Sequence, residues 1–158
     1  ADQTEKAAEL LRALKVPFIL HQARYSIFDR WVEEGLLKTL SKHSVGCIAF
    51  SPLAQGLLTE KYLKGIPKNS RAAKQYTYLD KEVVNKNIEK VRALAEVAQQ
   101  RGQKLSQMAI AWLLNQQQVA SVLVGASSSN QLKENIIALE NLDFSIEEMR
   151  LIDKISKV

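Results

Sequence analysis

Cysteine, histidine and long apolar runs are scarce in this chain, and each shortage removes a class of function. The single cysteine, Cys47, rules out an intrachain disulfide and gives no sign of an oxidising compartment. Set within Gly46-Cys47-Ile48-Ala49-Phe50, it reads as a buried strand residue rather than a nucleophile. The two histidines, His21 and His43, have no metal-ligand spacing with other His, Cys or carboxylate residues, so no metal site is expected. No apolar run approaches the length that spans a bilayer, and the opening residues, ADQTEKAAELL, are neither a signal nor a transit peptide. The expectation is a cytoplasmic protein without membrane insertion. Against 17 acidic residues stand 22 Lys and Arg, a net charge of +5, but the cations are dispersed among acids along helical segments. A nucleic-acid partner calls for a continuous basic stripe with interleaved aromatics, which is missing; the excess suits a small anionic ligand equally well.

What is present is the composition of a folded domain: 158 residues, 46% apolar and 25% charged. Thr4 to Leu14 places Ala7, Leu10, Leu11 and Leu14 on one helical face, which predicts a helix covered by a sheet or another helix. Pro17 to Leu20 reads as a short buried strand with His21 to Ser26 at its carboxyl end. Trp31 to Leu40 is a second helical pattern and Val45 to Phe50 a second strand, ended by Pro52. From there to Asp80 the chain is mostly aperiodic, apart from a helical turn over Leu57 to Leu63; a connection of that length is usually functional. Val84, Ile88, Val91, Ala95 and Ala98 predict a helix closed by Gly102, and Leu105 to Leu114 a buried one. Ser145 with Glu148 opens a terminal helix. Strands separated by helices imply a parallel sheet with right-handed crossovers.

One stretch, Val119 to Asn135, carries a ligand signal. Val119, Val122, Leu123 and Val124 suit a strand buried on both faces; the run stops at Gly125, and Ser128 with Gln131 has capping-box spacing before a helical pattern of Leu132, Ile136 and Leu139. A strand, a small-residue turn and a helix N-terminus together leave backbone N–H groups to receive a phosphate, although the same arrangement serves for packing alone.

Four motifs, taken in order, resemble the C-terminal half of an aldo-keto reductase barrel, in the branch containing glyceraldehyde-3-phosphate-reductase-like bacterial enzymes and potassium-channel β subunits. HQARYSIFDR is similar to the end of barrel strand six, GCIAFSPLAQGLLTEKY to strand seven and its cofactor loop, GIPKNSR to a later part of that loop, and SVLVGASSSNQLKEN to strand eight with its helix. The resemblance covers residues 1–158 and implies a partial (β/α)8 barrel of about three parallel strands with covering helices. It also implies a site for NADPH. Gln22 is then the partner of the nicotinamide carboxamide, and Phe50 stands where the family stacks Tyr or Trp on the nicotinamide ring. Ser51, Pro52, Leu53, Ala54 and Gln55 line the pyrophosphate and Lys61 reaches the phosphates. Arg71 and Ser127 grip the 2′-phosphate beside Gly125, and Gln131, Glu134 and Asn135 meet the adenosine end.

Taken singly, each of these residues has a plainer reading: a strand end, core, a solvated loop or an exposed helix face. Tyr25, beside Gln22, reads as pocket-lining or core, because no Lys or Asp stands near it in sequence to lower its pKa. The family's catalytic Tyr, Lys, Asp and His or Asn sit on strands one to four, so no catalytic residue is assigned and the isolated chain is expected to be inactive. The resemblance implies a carbonyl substrate and, as partner, the N-terminal half of the same barrel; two copies completing one barrel is the other option. An NADPH-binding regulatory subunit with little turnover is the alternative function. The segment from Ala72 to Asp80 is shorter than expected for a loop that closes over the cofactor.

Overall fold

A computed structural model describes residues 1–73 and 79–157. Three parallel strands form one sheet in chain order: β1 (Leu20–Arg24), β2 (Gly46–Phe50) and β3 (Val119–Leu123). Around them run α1 (Asp2–Ala13), α2 (Leu36–Lys42), α3 (Lys81–Gln100), α4 (Leu105–Leu114), α5 (Ser129–Ile136) and α6 (Ile146–Ser156). The expected α/β arrangement of parallel strands and covering helices is therefore observed. Residues 74–78 lie outside the described ones, so most of the stretch expected to be too short for loop closure is not described.

Strand alternation divides the sheet into two unequal faces. Ala23, Cys47 and Ala49 point into the helical layer and are buried, whereas Leu20, Gln22 and Arg24 alternate with them onto an open face. Burial raises the Cys47 thiol pKa, as fits a core residue. The helical layer centres on α4, nine of whose ten residues are buried. Trp112 of α4 meets Tyr25 edge to face at 5.4 Å, and the Arg30 guanidinium lies 4.9 Å from its ring. Gly46 leaves room for the neighbouring strands: an added Cβ would stand 2.9 Å from the Ala120 Cβ.

Several sequence expectations are corrected. The first strand covers Leu20–Arg24 rather than Pro17 to Leu20, since Pro17 has no N–H for a ladder; Gln22 is thus mid-strand, not beyond its end. The helix expected over Trp31 to Leu40 is broken at Gly35, whose φ of 119° is left-handed: Trp31–Glu33 is a 3₁₀ turn and α2 begins at Leu36. Exposed Trp31 instead donates its indole N–H to the Arg24 carbonyl at 3.0 Å. The helical turn expected over Leu57 to Leu63 resolves into 3₁₀ turns at Ala54–Gly56 and Glu60–Tyr62. β3 is not buried on both faces: it is an edge strand, and Ala120, Ser121 and Leu123 are exposed. On α1, Ala8 is buried while Leu10 and Leu14 are 61% and 63% exposed. The stripe Leu132, Ile136 and Leu139 is likewise exposed, because the described chain supplies no neighbour beyond the sheet edges.

Candidate functional site

A cleft of about 890 Å3 opens beside the carboxyl ends of β2 and β3, the end at which parallel α/β sheets place ligands. One wall is the loop after β2. Ser51, Ala54 and Gln55 hold left-handed backbone at φ of 56°, 45° and 61°, three of the five non-glycine residues in that region among those described. L-residues rarely stay there unless the surroundings enforce it, and such strain gathers at ligand sites. The bonds Ala54 N–H to Ser51 O at 3.0 Å and Gly56 N–H to Leu53 O at 2.8 Å fold the loop tightly. The Thr59 hydroxyl donates to the Gly56 carbonyl at 2.7 Å and accepts from the Lys61 amide.

The opposite wall is the turn after β3 and the start of α5. Ser128 caps α5, its hydroxyl accepting from the Gln131 amide at 3.2 Å. The Gln131 side chain, however, reaches one residue further back than a capping box requires: its Oε1 accepts from both the amide and the hydroxyl of Ser127, at 2.8 and 2.9 Å. Two residues expected to meet the same ligand therefore occupy each other. Asn135 is 9% exposed and lines the cleft.

Of the sequence-predicted residues, the cleft brings together Ser51, Pro52, Leu53, Gln55, Lys61 and Arg71 from the loop side with Gly125, Ser127, Gln131, Glu134 and Asn135 from the α5 side. Gln22, Phe50 and Ala54 do not line it. Gln22 is exposed on the open face of β1, and Phe50 lies half-buried at the end of β2; register places Gln22 opposite Ile48 and Arg24 opposite Phe50, so the two are diagonal neighbours. Ala54 packs against the core. Sequence reasoning missed Glu60 and Ser106, which also line the cleft. The Glu60 carboxylate accepts the Leu105 amide at 2.7 Å, a contact 45 residues apart that no local pattern announces. Tyr25 is fully buried and donates to Glu33 Oε1 at 2.8 Å; burial first and that hydrogen bond second raise its phenol pKa, the reverse of what a proton donor requires.

A family model described as the aldo/keto reductase family matches residues 1–157. The chain belongs to this family. It is 50% identical to an L-glyceraldehyde 3-phosphate reductase of Escherichia coli over 97% of its own length and 46% of that protein's. A probable voltage-gated potassium channel subunit beta of Oryza sativa subsp. japonica is 39% identical over 89% of this chain and 43% of its own length. Among solved structures, a thermostable aldo-keto reductase in complex with the inhibitor epalrestat superposes with a TM-score of 0.66 at 29% identity, over 93% of this chain and 43% of that one. The chain thus spans about half the length of the curated relatives it matches, and its three strands are part of an α/β barrel.

Proposed function

We propose that this chain is the cofactor-binding part, strands six to eight and the closing helix, of a cytoplasmic NADPH-dependent reductase that converts aldehydes or ketones to alcohols. The observation that carries the reading is the cleft itself. It joins the strained β2 loop, with Lys61 and Arg71, to the α5 N-terminus and the Asn135 side of that helix. Its volume lies within the range of small-molecule sites. When bound, the reduced nicotinamide supplies hydride to the carbonyl carbon. This chain's own part is to hold and orient: Gln22 offers a donor and an acceptor to the carboxamide, and Phe50 offers a ring face. The β2 loop backbone with Lys61 faces the pyrophosphate, and Arg71 with Ser127 faces the 2′-phosphate. For Ser127 to act, Gln131 turns away from it and becomes free for the adenosine end. The proton donor comes from the N-terminal half of the barrel, the partner this reading requires.

The likeness to a channel β subunit favours a second reading, a regulatory subunit in which the same cleft holds the cofactor with little turnover. Fluorescence titration with NADPH and NADH, on the chain alone and after mixing with the complementary half, tests both. The expected result is tighter binding of NADPH and, in the completed barrel, carbonyl-dependent oxidation. In the Arg71→Ala variant, the preference between the two cofactors should narrow about tenfold. Equal affinity for both in the unaltered chain would remove the NADPH reading, and cofactor binding without oxidation would favour the regulatory one.

A further inference from the structure

The first turn of α4 lies behind both acidic residues of the cleft. The Leu105 amide holds Glu60, as described. Lys104 donates its amide to Gln107 Oε1 at 2.8 Å, and Gln107 Nε2 donates to the Glu134 carbonyl at 3.1 Å. The Lys104 ammonium meets Glu134 Oε1 at 2.5 Å. Glu134 is therefore gripped from α4 at both its backbone and its side chain.

Charge explains why this grip bears on the ligand. The cleft is lined by two cations, Lys61 and Arg71, and by two carboxylates, Glu60 and Glu134. Left to themselves these sum to zero, a poor balance for a ligand carrying several phosphates. Glu60 directs its charge at the positive end of α4. Glu134 stands on the α5 wall with Ser127, where an unmasked carboxylate would repel a neighbouring dianion. Lys104 does not line the cleft, but it cancels that charge from behind. The hydrogen bond to Glu134, against a small burial cost and with the fields of Glu134 and Glu60, raises the ammonium pKa.

We infer that Lys104 is a positioning residue for the phosphorylated cofactor: acting through Glu134, it neutralises and orients that carboxylate so that the cleft accepts a nucleotide bearing a 2′-phosphate. The inference rests on the cofactor reading of the cleft and adds a residue that the four motifs do not contain.

Calorimetric titration of the purified chain with adenosine 2′,5′-bisphosphate and with adenosine 5′-monophosphate tests it, since the two probes differ only in the 2′-phosphate. Lys104→Ala, or Lys104→Met with its apolar stem retained, should weaken the bisphosphate roughly tenfold and the monophosphate less than about twofold. Lys104→Arg should keep the difference between the probes, and adding Glu134→Gln to Lys104→Ala should recover most of the loss. A merely structural bridge between α4 and α5 would weaken both probes alike and would not be rescued by Glu134→Gln; that outcome overturns the inference while leaving the cofactor reading intact. Failure of the unaltered chain to bind either probe overturns both.

Discussion

Tyr25 shows how a residue beside a site differs from one in it. Its hydroxyl shares Glu33 Oε1 with the Arg30 Nε, at 2.8 and 2.7 Å, so removing it leaves the carboxylate still paired. Tyr25→Phe should therefore cost only about 1 kcal/mol in chemical denaturation and leave cofactor affinity unchanged; a loss of affinity would place the phenol in the cleft. Glu148 carries a pH signature. Partial burial opposes its charge, but the Ser145 amide and the Arg101 guanidinium, at 2.7 and 2.8 Å, outweigh that and hold its pKa below the ordinary value near 4.5. A depressed folded-state pKa contributes stability that is full above the unfolded value and lost as pH falls through the folded one. Melting curves of the unaltered chain should therefore fall off faster below pH 4.5 than those of Glu148→Gln.

At the scale of elements, α5 is short, and its Leu132 and Ile136 are exposed, as is Leu139 in the 3₁₀ turn that follows, so its end contacts matter more than usual. Ser128→Ala removes the bond to the Gln131 amide and should lower stability by about 1 kcal/mol, with faster amide exchange confined to the first turn of α5. Gly46→Ala acts through the sheet instead. The new methyl meets Ala120 across the β2 and β3 pairing and should cost roughly 1–3 kcal/mol, read as a lower denaturation midpoint with an unchanged slope.

For the whole molecule, the open face of the sheet and both of its edges set the behaviour. Leu10 on α1, Leu14 just after it, Ile19 just before β1, Leu123 at the end of β3, and Leu132 and Ile136 on α5 are all more than 40% exposed. Unpaired strand edges lined by apolar side chains favour association. The chain alone should show concentration-dependent light scattering and no carbonyl-dependent oxidation of NADPH. Adding the complementary half should suppress the first and restore the second; turnover by the purified chain alone would show that it carries a complete catalytic set.

Local pattern determined the order of elements, the parallel sheet, the buried α4 and the caps at Ser128 and Ser145, because each depends on residues within a few positions of one another. The resemblance of the four motifs, rather than local pattern, pointed to most of the residues that line the cleft, since Ser51 to Arg71 and Gly125 to Asn135 are two contiguous stretches that the sheet brings face to face. Tertiary structure alone decided the rest. Which residues of β1 face outward follows from its register against β2, and the exposure of β3 follows from its place at the edge. Glu60 on Leu105, Lys104 on Glu134 and Gln131 on Ser127 are choices among hydrogen-bond partners, and only the packed chain fixes distances finely enough to make them.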